Sequence, residues 1–527
     1  MSIARRANAL RILSGANVNL VERPDRFPRA MLAAALCGSG PPGVLATGAA
    51  RYPSAPAIVD DAGIVTYQEL SRRSLVLGGE LRRMGAGPGV TVGLLARNHR
   101  GFVEALVGAS ATGADVVLLN TAFAAPELRS VVSSEGIRIL LHDDEFAAAA
   151  AASGAEVKLG ETAMAGLAGG GGKQRPLPGR RSGRLVVLTS GTTGRAKGAV
   201  RKPSGALESA AAVFQRIPLR VRDTQVVAAP LFHAWGLLHL LLGLSRAATT
   251  VVHRRFDPGA TLVATVEHRA RVLAVVPVML TRILDLGPEA LARADVSPLA
   301  VIASSGSALG APLAAEVLRR FGPILYNVYG STEVALATIA TPRDLQRAPG
   351  TAGRVAFGSR VEVLDEAAQP VAAGVVGRVF VGSGMPFEGY TSGEDKERRR
   401  GLVASGDLGH FDRDGLLFID GREDDMIVSG GENVFPREVE DLLTGHPEVA
   451  EVAVIGVPDD EFGQALAAFV VRRPGAAVSA DALRAYVRSS LARYKVPRRV
   501  EFLAELPRTP TGKVLTRTLD AAGGRAP

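Results

Sequence analysis

Apolar and polar positions alternate along the chain in the two rhythms of strands and helices. Short segments with apolar centres, such as Val90–Leu95 and Arg138–His142, are typical of buried strands. Helix-like segments, such as Gly101–Thr112 and Pro126–Glu135, lie next to them. Strands that alternate with helices in this way predict parallel βαβ units.

This rhythm is interrupted once in the first part of the chain. Residues 146–183 are rich in Ala and Gly and contain few large apolar side chains. Such a composition predicts a surface helix followed by a flexible loop. The rhythm resumes with Arg184–Thr189, a strand-like run that leads into a Gly-rich turn.

The pattern changes again near residue 421. Beyond it, the strand-like Val449–Val457 and Ala467–Val471 and the helix-like Ala480–Leu491 predict a separate small unit. The predicted fold class is therefore α/β. It combines a large N-terminal domain of several subdomains, with mostly parallel sheets, and a small C-terminal α+β domain.

We place the N-terminal domain at residues 1–423 and the C-terminal domain at residues 424–527. The chain begins with an extension, residues 1–45, whose first 29 residues contain six Arg. A weak amphipathic helix there could contact a membrane of anionic lipid, but a solvated surface segment is the favoured interpretation. No apolar run approaches the ~18 residues of a transmembrane segment, and no continuous apolar stretch typical of a cleaved signal precedes Arg23.

The composition of the chain excludes some kinds of site and makes some partners unexpected. The 527 residues are 47% hydrophobic and 21% charged, which is an ordinary globular balance. The single cysteine, Cys37, excludes an internal disulfide and a Cys-rich zinc site, so a reducing compartment is allowed and a cytoplasmic location is predicted. The net charge of +9 suits an anionic partner, but aromatic residues make up only 5% and no long Lys/Arg block occurs. A nucleic-acid partner is therefore not expected.

The strongest chemical signal is a loop that follows the strand-like run at 184–189. It combines glycines, several hydroxyl side chains and the cation Lys197, a density that a plain polar surface turn does not explain. Glycines let backbone N–H groups approach phosphate oxygens, hydroxyls add donors, and a lysine offsets negative charge. The spacing is not that of a Walker A loop. The candidate phosphate-binding residues are Thr189, Ser190, Gly191, Thr192, Thr193, Gly194 and Lys197.

A second polar segment, residues 327–333, follows the apolar Ile324–Leu325. Tyr329 could stack on a base, Thr332 could donate to a phosphate, and Glu333 could bind Mg²⁺ through oxygen. By itself, the segment is also compatible with a strand-to-turn junction.

Two further regions suggest chemistry only in combination with the others. Within Ala404–Gly409, the Asp407 carboxylate lies in a predicted tight turn, where it could accept from both hydroxyls of a ribose, and Arg422 could add a donor. Ser429–Asn433 is rich in glycine. Pro507–Lys513 is predicted to be a rigid loop whose last residue is a lysine. Taken one at a time, an Asx turn and a solvated lysine explain these segments better.

Together and in this order, the segments resemble the adenylate-forming (AMP-binding) superfamily. This superfamily includes fatty acyl-CoA synthetases, aryl-CoA ligases, luciferases and peptide-synthetase adenylation domains. Three more segments fit the resemblance: Thr66–Leu70, Pro230–Gly236 beside the acyl pocket, and Ser304–Gly310 on the adenine side. The resemblance extends from about Ala57 to Lys513 and so covers most of the chain.

The resemblance implies a ligase that uses ATP, Mg²⁺, coenzyme A and a small-molecule carboxylic acid. The 189–197 loop would bind the β- and γ-phosphates, Thr332 would contact the α-phosphate, and Glu333 would bind Mg²⁺. Asp407 and Arg422 would hold the ribose. The adenine site would be lined by Gly306, Ser307, Asn327, Tyr329 and Gly330.

The resemblance also implies that the C-terminal domain is a mobile lid. Asp424 falls at the hinge, and Lys513 would reach the carboxylate and the α-phosphate during adenylation only. In the other lid arrangement, Gly430, Gly431 and Glu432 would line the thiol tunnel. A homodimer is left open.

His233 has two interpretations. It precedes a helix-like apolar run, so it is compatible with an ordinary residue at a helix start. The resemblance places it beside the acyl pocket, and we assign it a gating and positioning role rather than acid–base chemistry.

The identity of the acid is the least determined part of the prediction. The small residues Ala303, Ser304 and Ser305 would allow a deep slot, and apolar burial contributes ~0.8 kcal/mol per methylene. A medium- or long-chain fatty acid is therefore favoured over an aryl acid, and coenzyme A over a separate carrier protein. The alternatives from other classes are a non-catalytic nucleotide-binding protein and a nucleic-acid binder.

Overall fold

The computed structural model describes most of the chain. Described are residues 8–9, 11–12, 26–38, 40–170, 183–190, 196–201, 206–385, 387–423, 425–429, 432–459, 463–509, 512–516 and 518–519. Among these residues, four sheets with helices packed around them make up the fold.

The strands are numbered in chain order. The first fifteen are β1 (Pro56–Asp60), β2 (Gly63–Thr66), β3 (Thr91–Leu95), β4 (Asp115–Leu118), β5 (Ile137–His142), β6 (Val157–Gly160), β7 (Leu185–Ser190), β8 (Ala196–Arg201), β9 (Thr224–Val227), β10 (Thr249–Val251), β11 (Val272–Val275), β12 (Val301–Ser304), β13 (Leu325–Ser331), β14 (Ala335–Ala340) and β15 (Arg354–Val355). The others are β16 (Arg360–Leu364), β17 (Gly377–Gly382), β18 (Phe387–Tyr390), β19 (Arg398–Arg399), β20 (Leu402–Phe411), β21 (Leu417–Arg422), β22 (Ile427–Ser429), β23 (Glu432–Val434), β24 (Val449–Asp459), β25 (Gly463–Arg472) and β26 (Arg499–Leu503).

The α-helices are numbered in the same way. They are α1 (Arg26–Cys37), α2 (Pro41–Arg51), α3 (Tyr67–Arg83), α4 (Arg100–Ala111), α5 (Ala125–Ser134), α6 (Ala147–Ala151), α7 (Glu161–Gly169), α8 (Ala206–Arg216), α9 (Ala234–Ser245), α10 (Pro258–Glu267), α11 (Pro277–Leu284), α12 (Pro288–Arg293), α13 (Ala311–Phe321), α14 (Pro342–Arg347), α15 (Pro436–Thr444) and α16 (Ala480–Ser490).

Two sheets of the N-terminal domain are mostly parallel, as predicted. One has the order β18-β8-β7-β4-β3-β5-β6, and only β8 and β18 run antiparallel to their neighbours. The other has the order β15-β14-β13-β12-β11-β9-β10-β1-β2, with a parallel centre from β13 to β1. The central strands are buried on both faces, which explains why they are continuous apolar runs in the sequence.

A third sheet, formed by β16, β17, β19, β20 and β21, is antiparallel. The fourth sheet belongs to the C-terminal domain and has the order β23-β22-β25-β24, with β26 parallel to β25. Its apolar face packs with α15 and α16 around a cluster that includes Val439, Leu483 and Val487. The predicted class, a large α/β domain followed by a small α+β domain, is confirmed.

One predicted segment differs in the structure. Residues 146–183 were predicted as a surface helix and a loop, but β6 lies there between α6 and α7 and extends the parallel sheet. This strand is mostly half-buried and has no continuous apolar run, because it forms the edge of its sheet. Residues 171–182 lie outside the described residues.

The N-terminal extension is described only in part. Ala9 is buried in the core cluster around the nine-stranded sheet, and Ile12 packs against that cluster, so the favoured solvated surface segment is wrong for these residues. Among the described residues, no helix combines the length and the apolar character needed to cross a bilayer. Contact of the extension with a membrane surface stays a prediction.

Candidate active site

The candidate phosphate loop connects two antiparallel strands. Thr189 on β7 is the register partner of Lys197 on β8. The sheet therefore fixes the backbone on both sides of the loop. Outside the described residues lie Gly191, Thr192, Thr193 and Gly194, together with the side chains of Thr189 and Ser190.

The Lys197 side chain faces a distant segment that begins in β18. Its ammonium forms an ion pair with Glu394 and lies 5.6 Å from the ring centroid of Tyr390. The Tyr390 hydroxyl donates to Glu333 Oε1 at 2.9 Å. Burial and the Glu333 charge raise the pKa of the Tyr390 phenol, which therefore stays a hydrogen-bond donor. One aromatic side chain thus joins the candidate phosphate lysine to the candidate metal ligand.

The 327–333 segment ends β13 in a tight turn. A Cβ at Gly330 would lie 1.9 Å from the Ala335 carbonyl oxygen, so the chain can reverse here only with glycine. Ser331 Oγ donates to Glu333 Oε2 at 2.8 Å and accepts from the Glu333 N–H at 3.2 Å. Thr332 is half-buried in the same turn. The turn therefore holds the Glu333 carboxylate in one orientation.

Tyr329 and Asp407 meet although they lie on different sheets. The hydroxyl of the half-buried Tyr329 donates to Asp407 Oδ2, and Arg422 Nη1 lies 3.5 Å from Asp407 Oδ1. The predicted tight turn at Asp407 is wrong, because Asp407 lies within β20, where it is the register partner of Arg422 on β21. Burial raises the pKa of the Asp407 carboxyl, and burial together with the Asp407 charge raises the pKa of the Tyr329 phenol. One adenine candidate, Tyr329, thus forms a hydrogen-bonded group with the two ribose candidates, and Asn327 is buried two residues before Tyr329.

The residues predicted to lie beside the acyl pocket follow the carboxyl ends of β9, β11 and β12. We call this region the acyl side. His233 precedes α9 at its N-cap, yet its side chain makes no capping hydrogen bond. Among the described residues, neither its Nε2 nor the buried Ser304 Oγ has a hydrogen-bond partner. Burial lowers the pKa of His233 to about 4, so the imidazole is neutral at pH 7. Gly306 adopts φ +94°, and a Cβ there would lie 3.3 Å from Val276 Cγ1.

The C-terminal domain reaches this same side through the loop that contains Lys513. Gly512 adopts φ +79°, and a Cβ there would lie 2.2 Å from Val278 Cγ1 and 3.6 Å from Val276 Cγ2. Thr509 N–H donates to the Lys513 carbonyl at 2.7 Å, and Lys513 itself is exposed. Lys513 therefore lies on a loop that packs against the start of α11.

A second contact between the domains involves α15. Arg437 Nη1 donates to the Ile419 carbonyl at 2.9 Å, and Arg437 Nη2 donates to the Leu309 carbonyl at 3.4 Å. Leu309 belongs to the adenine-side loop. The predicted hinge residue Asp424 and the predicted tunnel glycines 430 and 431 lie outside the described residues, and so does the side chain of Glu432, which begins β23.

Comparisons with known proteins match this arrangement. The family model described as AMP-binding enzyme matches residues 45–391, and that of the AMP-binding enzyme C-terminal domain matches residues 438–513. The chain belongs to the AMP-binding enzyme family. Its relatives include a feruloyl-CoA synthase from an Amycolatopsis species, 35% identical over 88% of this chain and 95% of the relative. An indoleacetate–CoA ligase from Aromatoleum aromaticum is 31% identical over 85% of this chain and 91% of the relative.

A solved structure also matches this chain over most of its length. The o-succinylbenzoate CoA synthetase from Bacillus subtilis, in complex with its acyl-adenylate intermediate, superimposes with a TM-score of 0.80 at 27% identity. The superposition covers 90% of this chain and 97% of the synthetase. This AMP-binding enzyme is therefore of the acid–CoA ligase type.

Two residues of this AMP-binding enzyme's candidate site were missed in the sequence. Tyr390 and Glu394 follow no phosphate-binding motif, and nothing local distinguishes them from other surface residues. They reach Lys197 because β18 pairs with β8, with Tyr390 opposite Ala199. The signal lies in tertiary pairing, which local pattern does not contain.

A second charged cluster contains none of the predicted site residues. Ligand atoms of His99, Asp143 and Glu161 lie within 4.8 Å of one another. Arg254 forms ion pairs with both carboxylates, and the Gly101 N–H donates to His99 Nδ1 at 3.1 Å. The Arg254 guanidinium already pairs with both carboxylates, so we assign no metal to the cluster.

Proposed function

We propose that this AMP-binding enzyme is an aryl-acid–CoA ligase that works in two steps. First, a carboxylate oxygen attacks the α-phosphorus of ATP, which forms an acyl-adenylate and releases pyrophosphate. Second, the coenzyme A thiol loses its proton and its sulfur attacks the acyl carbonyl, which forms the thioester and releases AMP. The observation that carries the proposal is the packing of Gly512 against Val278, because it brings the Lys513 loop to the acyl side.

The first step brings two anions together, and the candidate residues address this repulsion. Lys197 offsets charge on the β- and γ-phosphates, and Lys513 offsets charge on the attacking carboxylate and the α-phosphate. Asp407 accepts from the ribose hydroxyls, and Thr332 donates to the α-phosphate. Since Tyr329 and Arg422 both contact Asp407, the ribose acceptor is oriented before nucleotide binds.

Glu333 is the proposed ligand for Mg²⁺, which supplies charge neutralisation at the phosphates when bound. Each Glu333 carboxylate oxygen accepts one side-chain hydrogen bond, from Ser331 or from Tyr390. A carboxylate has about four lone-pair sites, so oxygen positions remain for a hard cation. The donor set therefore fits this ion.

The second step requires Lys513 to leave the acyl side. We propose that the C-terminal domain, residues 424–527, rotates about Asp424 and brings Gly430, Gly431 and Glu432 to the thiol path. The Lys513 side chain is exposed, and the Gly512 contact beside it is with the apolar Val278 and Val276, which supports a movable arrangement.

An aryl acid is favoured by two observations. The feruloyl-CoA synthase, the indoleacetate–CoA ligase and the o-succinylbenzoate CoA synthetase are named for acids that contain an aromatic ring. His233 Nε2 and Ser304 Oγ are buried without a partner among the described residues, and a polar substituent on the acid would satisfy such atoms. A fatty acid–[acyl-carrier-protein] ligase from Streptomyces coeruleorubidus, 31% identical over 89% of this chain, is named for the alternative acid and the alternative acceptor. The fatty-acid preference and a cytoplasmic location stay predictions, and a homodimer stays open.

A panel of acids tests this function. With ATP, Mg²⁺ and coenzyme A, we expect thioester formation with hydroxycinnamates and arylacetates at a kcat/KM at least about tenfold above that of fatty acids of eight to sixteen carbons. Cinnamate is the matched control for 4-hydroxycinnamate, and Ser304→Ala tests the polar atom. A fatty acid that exceeds every aryl acid in kcat/KM would contradict the aryl assignment, and absence of pyrophosphate release with every acid would contradict the ligase assignment.

A further inference from the structure

Lys197 is already neutralised before any nucleotide enters. Its side chain is only 15% exposed, and its ammonium pairs with the carboxylate of Glu394, which is 56% exposed. The Tyr390 ring lies beside the same ammonium, at 5.6 Å from its centroid. The candidate phosphate lysine is therefore held by a protein anion at the position where a phosphate anion would be needed.

The backbone position of Glu394 is set by hydrogen bonds within the turn that contains it. The Tyr390 N–H donates to the Glu394 carbonyl at 2.8 Å, and the Gly393 N–H donates to the Tyr390 carbonyl at 2.9 Å. Gly393 adopts φ +84°, which allows this tight turn. The Thr391 N–H donates to the Gly198 carbonyl at 2.8 Å, so the turn is attached to β8 itself, one residue after Lys197.

The same turn is anchored on its other side. Thr391 Oγ1 donates to Glu135 Oε1 at 2.7 Å, which ties it to the end of α5. These anchors hold the backbone of the turn beside β8, so the Glu394 carboxylate, which is 56% exposed, stays within reach of Lys197. A carboxylate beside a polyphosphate site repels the polyphosphate.

We propose that Glu394 is a resting counter-ion of Lys197 that competes with the ATP polyphosphate and so weakens ATP binding. This inference rests on the proposed function, since it takes Lys197 as the ligand of the β- and γ-phosphates. The competition acts on nucleotides that carry these phosphates and leaves AMP binding unaffected. After adenylation, Glu394 pairs with Lys197 again as pyrophosphate leaves. Formation of this ion pair therefore favours product release.

The test is nucleotide binding measured by calorimetry on the full chain, with ATP and with AMP, in Mg²⁺ buffer without acid or coenzyme A. We expect Glu394→Gln to bind ATP about two- to fivefold more tightly than the wild-type chain, with AMP affinity changed by less than about 1.5-fold. The gain shrinks when salt is raised, since Glu394 is solvent-exposed.

Asp395→Asn is the matched control. Asp395 is the next residue and loses the same charge, but it pairs with Arg398 at 3.1 Å and not with Lys197. We expect it to leave ATP affinity unchanged.

Equal tightening in Asp395→Asn, unchanged or weaker ATP binding in Glu394→Gln, or an equal gain for AMP would each overturn the inference. These outcomes leave the ligase assignment intact, because they are read without an acid. A wild-type chain that binds neither nucleotide would instead overturn both the proposed function and this inference.

Discussion

The ribose group around Asp407 and the Lys513 loop are two charged sites of opposite construction. Asp407 is buried on a sheet, where Tyr329 and Arg422 contact its two carboxylate oxygens. Lys513 is exposed on a loop that is shaped by its own turn hydrogen bonds and reaches the N-terminal domain through Gly512. The first site is fixed by the strands that build the domain, whereas the second is fixed only while the domains stay together. A site of the first kind suits binding, and one of the second kind suits a group needed in a single step.

The largest expected effect is that of Lys513→Ala. Removal of the ammonium takes away one charge aimed at the reacting atoms, so adenylation should fall about 100- to 1000-fold. Thioester formation from supplied acyl-adenylate should change by less than about threefold, because Lys513 is withdrawn in that step. Rapid-quench measurement of each half-reaction decides this. Equal losses in both half-reactions would remove the distinction between a fixed and a movable site.

Asp407→Asn tests the fixed site. Asn keeps the shape and can still accept from Tyr329, so folding should be retained, but it replaces an ionised acceptor for the ribose by a neutral amide. Hydrogen bonds to charged groups contribute about 1.5–3 kcal/mol, so ATP and AMP should both bind about 10- to 100-fold more weakly. Calorimetry measures both nucleotides, and a melting temperature confirms the fold. Loss of ATP binding alone, with AMP unaffected, would argue against a ribose contact.

Gly512→Ala tests the contact between the two regions. The added Cβ would lie 2.2 Å from Val278 Cγ1, and φ +79° strains any residue other than glycine. Adenylation should fall about fivefold, with a smaller change in thioester formation. The double variant Gly512→Ala with Val278→Ala removes the clash but keeps the strain, so it should recover part of the loss. No recovery would mean that the strained turn alone, and not the contact with α11, sets the effect.

The parallel core of this fold follows from the sequence because buried strands must be apolar along their whole length. β3, β5 and β7 begin and end within about two residues of the predicted runs. β6 was missed because an edge strand needs only partial burial, and its four residues carry no such signature. Burial on both faces therefore makes central strands recognisable in the sequence, whereas the partial burial of edge strands does not.

The candidate site likewise contains residues that the sequence predicts and residues that it does not. Lys197, Glu333 and Asp407 each lie in a local motif, so they could be named from the sequence. Their partners Tyr390 and Glu394 could not, because they contact Lys197 and Glu333 only through the pairing of β18 with β8. Local spacing predicts which residues have the chemistry, and only the assembled sheets determine which charges meet.

The most direct test of the account is a single turnover of the wild-type enzyme with ATP, Mg²⁺ and an accepted aryl acid, first without coenzyme A. We predict about one equivalent of pyrophosphate and of enzyme-bound acyl-adenylate, detected by mass spectrometry, followed by AMP and thioester once coenzyme A is added. Formation of ADP and phosphate, or no pyrophosphate until coenzyme A is present, would contradict the account.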